Sequence, residues 1–452
     1  MSANPSIAII GAGPVGALMS IFLARRGFEV TLFERRPDMR TVDLPAGRSI
    51  NLALANRGIN ALDRLGLMGD VNDLLIPMRG RMIHGPDGAQ QLQPYGNKPQ
   101  EVIYSVSRAA LNMILLKAAE TEGVIINFNQ RCDHIDFESK ILTVFDEDGR
   151  QEQSIGIDRV IGADGGGSVV RTAIAGRRKG CVDEQRLGHG YKELTIPPGP
   201  DGAFKLEKNA LHIWPRGGFM LIALPNIDGG FTATLFLPND GPQSFAALRT
   251  EAQVAAFFDT HFADAVPLIE NLTGGFFDNP VGMLGTIRCD RWHHGGDALI
   301  MGDAAHAIVP FHGQGMNAGF EDCMALDLCL DELGDDWQGV FAAFEKRQKP
   351  NANAIADMAL ENYVEMRDSV LDAKFRLKKE IAWKLEALYP DHFIPRYSMV
   401  MFHLLPYSDA HARGKIQAHI LDELAQTAQT ADDIDLDLAK KLIEKRILPD
   451  SV

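Results

Sequence analysis

The run SIAIIGAGPVGALMSIFLARRGFEVTLFERR, Ser6 to Arg36, constrains the fold more than any other segment. Five residues ending in Ile-Ile have the unbroken apolar character of a strand buried in a parallel sheet. Gly11, Gly13 and Gly16 follow in G-x-G-x-x-G spacing, a helix-compatible stretch runs to Arg26 and stops at Gly27, and EVTLFERR reads as a second strand closing on Glu34. This order predicts one βαβ unit. Its glycines permit a tight turn, close approach of backbone to a pyrophosphate and close helix–strand packing, while the helix N-terminus offers unpaired N–H groups and a positive dipole end. Glu34, eighteen residues after Gly16, stands where a carboxylate can accept ribose hydroxyls. A signal peptide or membrane span is opposed by the lack of a basic leader, by the breaks at Gly11, Gly13, Pro14 and Gly16, and by Arg25 and Arg26 before the next strand.

Two further strand–turn units are legible. RVIGADGGGSVVR places an Asp164-Gly165 turn after a strand, with Ser168 and Arg171 behind it. DALIMGDAAHAIVPFHGQGMNAGFEDCMAL gives an apolar strand ending in Gly302-Asp303, a short link, and the stretch Pro310–Gly319 opening an apolar-periodic helix. Asp303 either caps a helix or contacts a ribose or pyrophosphate. At 452 residues the chain predicts two or three domains. Its net charge of -15 and pI near 5.3 argue against nucleic acid or an anionic membrane as partner. Five cysteines without a CxxC pair suit reduced thiols and a cytoplasmic location, and 13 histidines show no ligand spacing, so no metal is expected. No nucleophile elbow or GKS/T loop occurs, which removes the commonest hydrolase and NTPase readings.

GxGxxG, DG and GD turns in this order resemble the FAD-dependent aromatic hydroxylases, the single-component flavoprotein monooxygenases related to para-hydroxybenzoate hydroxylase, over about residues 5 to 350. The resemblance implies an α/β fold: a Rossmann-like FAD-binding domain (1–77, 98–178 and 288–352), a mixed β-sheet substrate domain (78–97 and 179–287) and a C-terminal helical domain (353–452). It implies that the first motif holds the ADP part of FAD, that Asp164 serves FAD and NAD(P)H, and that Asp303 binds ribose. It further implies that Gly313, Gly315, Met316 and Asn317 offer backbone N–H groups to the flavin, with Pro310, Phe311 and His312 on the dry side facing substrate. Arg35, Leu54 and Arg108 join Gly11, Gly13, Gly16 and Glu34 on the cofactor side, Arg108 near the pyrophosphate; its bland reading is an exposed arginine at a helix start. No second GxGxxG occurs, so NADPH is expected as a transient co-substrate.

AGRSINLALANRG (46–58), MRGRMIHGPDG, LQPYGN, VIYSVSRAALNMILLKAAE, HGYKEL, NALHIWP, ENYVEMRD and FIPRYSM resemble the kynurenine 3-monooxygenase branch of that family nearly end to end. That implies hydroxylation of L-kynurenine by NADPH and O2 through a flavin hydroperoxide, in tryptophan breakdown. It also implies a substrate site of Arg81, Tyr95, Asn362 and Tyr397, with no catalytic base nominated. The chain ends in the polar, helix-compatible DDIDLDLAKKLIEKRILPDSV where eukaryotic members carry membrane-anchoring helices, so a bacterial form without a membrane anchor is expected. Self-association as a homodimer is left open.

On the residues alone, GRMIHG and QLQPYG read as a hairpin about Pro86-Asp87-Gly88, with Arg79 sharing Arg81's face of the strand. Helical geometry groups Ile355, Met358, Ala359, Asn362 and Met366 on one arc and Asp357, Glu361, Glu365 and Asp368 on another. Asn362 within the apolar arc then bonds a neighbouring helix or a ligand. Lys378, Lys379 and Glu380 read as a solvated face. Three other functions share the FAD motifs: a hydroxylase of another aromatic acid, a halogenase, for which a Trp-rich motif and a catalytic lysine are missing, and a non-enzymatic flavin-binding interaction protein.

Overall fold

A computed structural model describes residues 5–42, 51–146, 149–176 and 180–447. Residues 46–50 of the AGRSINLALANRG segment and the closing LPDSV lie outside them. The chain divides into two compact units, one of residues 1–75, 106–187 and 284–356, the other of residues 76–105, 188–283 and 357–452. Residues 357–452, all but the first four of the stretch expected as a domain of its own, fall in the same unit as most of the substrate sheet.

The first unit is built on a six-stranded sheet in the order His293–His294, Ala298–Ile300, Arg159–Gly162, Ser6–Ile10, Glu29–Phe33, Ile125–Asn127. All neighbours are parallel except the outermost His293–His294 pairing. Ile7, Ala8, Ile9 and Ile10 are all buried, because a strand with parallel neighbours on both sides has helices or loops over both faces. The helix Pro14–Arg25 buries Ala17, Leu18, Met19, Ile21, Phe22 and Leu23, and thus lacks a polar stripe over most of its circumference. Each of the three strand–turn units foreseen in the sequence contributes a strand here: Ser6–Ile10, Arg159–Gly162 and Ala298–Ile300. A separate antiparallel meander joins Gln130–Asp136, Ile141–Asp146 and Glu152–Gly156.

The second unit holds the larger part of a mixed seven-stranded sheet in the order Gly282–Cys289, Val182–Ile196, Phe231–Pro238, Met220–Pro225, Ala210–Pro215, Gly80–His84, Gln90–Pro94; residues 182–187 and 284–289 of its first two strands count with the first unit. Strand register assigns the side chains to faces, since alternate residues point to opposite sides. Leu194, Ala233, Ala223 and His212 form one cross-strand row, and Lys192, Leu235, Leu221 and Trp214 the next. This face packs on Val254, Phe257, Phe258 and Phe262 of the Glu251–His261 helix and the residue after it. The opposite face carries Glu193, Thr234, Ile222, Ile213 and Ile83 in one row, and Arg81 and Leu211 as a pair in the adjacent one.

The hairpin Gly80–His84 with Gln90–Pro94 turns at Gly88, whose φ of +82° favours glycine. Arg79 precedes the strand and is exposed, whereas Arg81 is buried; the expected shared face is corrected because the strand begins at Gly80. The C-terminal helices Ala373–Leu388, Tyr407–Leu424 and Leu436–Arg446 enclose a core that includes Ile381, Leu385, Ile420, Leu424, Leu442 and Ile443. Asp372 and Asp435 cap two of these helices by accepting from the N–H groups of Phe375 and Leu438. Among the described residues no helix is long and apolar enough to cross a membrane.

Candidate functional site

In the first unit the three motifs meet around the start of the Pro14–Arg25 helix. Gly11 has φ +100°, and a Cβ there would stand 2.5 Å from the Ala163 carbonyl oxygen, so this glycine lets the fingerprint loop lie against the Ala163-Asp164 turn. A Cβ on Gly319 would stand 2.5 Å from Val15, and one on Gly302 would stand 3.3 Å from it, so the GD turn and the Gly315–Leu333 helix close on the same residue. Gly13 differs from these packing glycines: a Cβ there would meet nothing within 4 Å. It borders open space beside a helix N-terminus with Pro14 in its first turn and no side-chain cap, which suits an approaching pyrophosphate.

Glu34 accepts from the N–H groups of Ala12 and Arg36, at 3.0 Å each. Its carboxylate is thereby fixed with lone pairs to spare for hydroxyls. Asn112, which the sequence did not single out, donates to the Ala12 carbonyl at 3.0 Å, and its own Oδ1 is buried with no hydrogen-bond partner among the described residues. The available signal was its place one turn after Arg108 on the Arg108–Thr121 helix. Arg108, Arg35 and Asp303 are exposed and Leu54 is buried.

Asp164 is engaged locally: it accepts from Ser168 Oγ and, at 2.7 Å, from the Val169 N–H at the start of the Val169–Ala175 helix, whose N-cap is Ser168. Burial raises its carboxyl above the usual range, and those hydrogen bonds only partly offset it. Arg171 bonds the Ala304 carbonyl at 2.9 Å, tying the DG segment to the GD turn.

Asn317, fully buried, donates to the carbonyls of Ala53 (2.8 Å) and Gly313 (2.9 Å) and accepts from the Ala55 N–H (2.9 Å). Its side chain therefore locks two loops together, leaving to a ligand only what its backbone can offer. Gly313, at φ +66°, follows a short turn in which Phe311 and His312 are buried while Pro310 is exposed.

The second unit gathers Arg81, Tyr95, Asn362 and Tyr397, four residues far apart in sequence. Arg81 donates to Glu365 Oε1 at 2.9 Å and to Asn362 Oδ1 at 3.3 Å. Its guanidinium carbon lies 5.8 Å from the Tyr95 ring centre and 5.2 Å from that of Tyr397, and the two rings stack 5.4 Å apart at 9°. Burial opposes the Arg81 charge, but Tyr397, Glu365 and Tyr95 outweigh it and hold the group above its ordinary value. Burial pushes the Tyr95 hydroxyl up to about 12 and that of Tyr397 well above its usual range, so both stay protonated donors. Arg81 Nε and the Tyr95 hydroxyl oxygen are buried without hydrogen-bond partners among the described residues. Buried polar atoms of this kind are costly unless a ligand or water satisfies them.

Two residues here escaped the sequence. Glu365 begins a π-helical turn, Glu365–Ser369, at the end of the Trp337–Val364 helix. Glu365 stands three residues after Asn362, so the two are neighbours on the helix surface at the border of the polar and apolar arcs, and it is the border position that meets Arg81. Lys379 corrects an expectation: it is half-buried, donates to the Pro94 carbonyl at 2.8 Å and lies 5.0 Å from the Trp383 ring centre. Burial, then the Arg81 charge, pulls its ammonium down to about 8. Helical spacing cannot reveal that the strand ending at Pro94 runs within hydrogen-bond reach of this side chain.

The family described as "FAD binding domain" matches residues 5–190 and 270–358. Kynurenine 3-monooxygenase of Myxococcus xanthus is 50% identical over 449 residues, 98% of this chain and 96% of that protein. Its counterpart from Stenotrophomonas maltophilia is 49% identical over 96% of this chain and 95% of that protein. Among solved structures, 2-methyl-3-hydroxypyridine-5-carboxylic acid oxygenase superposes with a TM-score of 0.65 at 20% identity, covering 83% of this chain and 95% of that one. CtdE, solved with FAD and a substrate, superposes at 0.67 and 17% identity, covering 93% and 99%. At those identities the structures establish the fold alone.

Proposed function

Because the chain belongs to the kynurenine 3-monooxygenase family and carries its FAD-binding domain, we propose that it hydroxylates L-kynurenine to 3-hydroxy-L-kynurenine with NADPH and O2. When bound, FAD supplies electron transfer from NADPH and activation of O2. Its site fits the residues present: the open space at Gly13, the uncapped helix N-terminus, the fixed Glu34 carboxylate and the partnerless Asn112 Oδ1 would hold the ADP portion. Asp303 would meet ribose, and the backbone about Gly313–Asn317 would hold the ring.

The observation that carries the substrate is the Arg81 cluster. L-Kynurenine has a carboxylate and an amine at one end and a 2-aminophenyl ketone at the other. Arg81 presents a planar fork to the carboxylate, Tyr95 and Tyr397 add protonated hydroxyls, and Glu365 with the Asn362 amide oxygen is suited to the α-ammonium. Ile83, Ile213 and Ile222 on the same sheet face give the ring a dry bed. Their apolar surface excludes water from the reacting carbon while the clamp fixes its position. A cytoplasmic location belongs to the same reading, supported by five unpaired cysteines.

NADPH consumption by the FAD-loaded protein with L-kynurenine, with product identified by mass, tests this. A product heavier by one oxygen is expected; hydrogen peroxide alone would overturn kynurenine as the substrate.

A further inference from the structure

The first unit buries a charged pair against the Gly302-Asp303 turn. Asp322, buried on the Gly315–Leu333 helix, accepts from three donors: the Gly302 N–H at 2.8 Å, His306 Nε2 at 2.6 Å and Gln348 Nε2 at 3.2 Å. His306, also buried, ends the short Asp303–His306 helix and stacks on Trp292 with ring centres 5.1 Å apart. Burial opposes the His306 charge, but Asp322 outweighs it and holds the ring above its ordinary value, so the pair is ionic. A buried ion pair adds little net stability, because desolvation consumes most of the attraction. Its place in the fold is then the informative feature.

Gly302 has φ +56° and ψ -143°, a backbone region open almost only to glycine. Its carbonyl accepts from the Ala305 and His306 N–H groups at 2.9 Å each. With its own N–H on Asp322, both polar groups of Gly302 are committed, and the direction in which Asp303 leaves the turn is set. Asp303 is exposed, and a Cβ on Gly315 would stand 4.0 Å from its Oδ1. The Asp303 carboxylate therefore lies beside the N-terminus of the helix that carries Asp322. Gly315 and Asp322 are about 10 Å apart along that helix. One rigid element thus grips the turn at one end of the span and presents unpaired N–H groups at the other.

We propose that Asp322 and His306 are a positioning pair for FAD: they hold Gly302 in its strained conformation so that the Asp303 carboxylate meets the cofactor at a fixed place beside the helix N-terminus. The pair acts through Asp303. This rests on the placement of Asp303 toward FAD given above and is independent of which substrate is hydroxylated. The effect on affinity follows because a carboxylate already held where its ligand needs it loses no freedom on binding, whereas one on a relaxed turn must be ordered first.

The dissociation constant of FAD, read from flavin fluorescence on titrating the FAD-stripped full chain, tests this in two backgrounds, wild type and Asp303→Asn. Asp303→Asn alone should weaken FAD about tenfold, through loss of a charge-assisted hydrogen bond. Asp322→Ala should weaken FAD about tenfold in the wild-type background and less than about twofold in Asp303→Asn, because residues that act as one unit do not add. Asp322→Asn keeps an amide oxygen for the Gly302 N–H and should stay within about threefold of wild type. His306→Leu leaves Asp322 in place and should weaken FAD about fivefold with the same dependence on Asp303, which supplies a second variant should Asp322→Ala not fold. Equal weakening in both backgrounds, or none in either, would overturn the proposal alone. No effect of Asp303→Asn would overturn the placement of Asp303 and the proposal with it.

Discussion

Asn317→Ala isolates what one buried amide contributes to the cofactor cradle. The substitution deletes three hydrogen bonds of 2.8–2.9 Å and leaves two carbonyls, Ala53 and Gly313, and one N–H, Ala55, without those partners. Net loss is about 0.5–1.5 kcal/mol per bond, and more wherever a group is stranded from water. The total is about 3 kcal/mol, with a water entering the vacated space setting the low end near 2. Against a stability of about 5–15 kcal/mol for a domain, that is a large fraction. Urea unfolding of the FAD-free protein should show a lower midpoint with the slope unchanged, the slope multiplied by the midpoint shift giving that loss. FAD should also be lost more readily on gel filtration, because the loop bearing Gly313 is no longer tied to the segment Ala53–Ala55. Asn317→Asp should be worse, since it removes both donated bonds and sets an anion against two carbonyl oxygens. A loss under about 1 kcal/mol for Asn317→Ala, with FAD retained, would refute the argument that this amide locks the two loops.

The fingerprint glycines should separate by cause. Gly11→Ala, forced at φ +100° against Ala163, should cost about 2–3 kcal/mol of stability, whereas Gly13→Ala should fold normally and lose FAD affinity; similar melting temperatures for the two would sink this distinction. Arg81→Lys should lower kcat/KM for L-kynurenine about 10- to 100-fold, since an ammonium cannot reproduce the fork, and an unchanged value would show that the clamp lies elsewhere. Stability should also fall with acid through the buried His84–His212 pair, whose ring nitrogens are 2.9 Å apart. Burial, then His212, holds His84 down to about 4, and burial lowers His212. The unfolded chain therefore binds more protons below the ordinary value of 6.5. The stability is complete above about 6.5 and is lost as pH falls toward 4. Urea midpoints for wild type and His84→Gln should converge over that window, and parallel curves would contradict it.

The sequence by itself determined the βαβ unit, the hairpin at Gly88, the order of the DG and GD turns and the residue types able to clamp an amino-acid carboxylate. These depend on neighbours within a few residues, where 3.6- and 2-residue periods and the special backbone freedom of glycine act directly. Arg81 shows the limit: its chemistry was legible, but its burial depends on where the strand begins, and its partners come from residues 362 to 397. Only the tertiary structure decided that Asn317 spends its amide on two segments, that Glu365 and Asn362 both meet Arg81, that Lys379 bonds the Pro94 carbonyl, and that Glu193 shares a sheet face with Arg81. Each depends on register or packing between segments distant in the chain. Pairing register is set by how whole faces fit together, and a slip by one residue would turn every side chain to the other side.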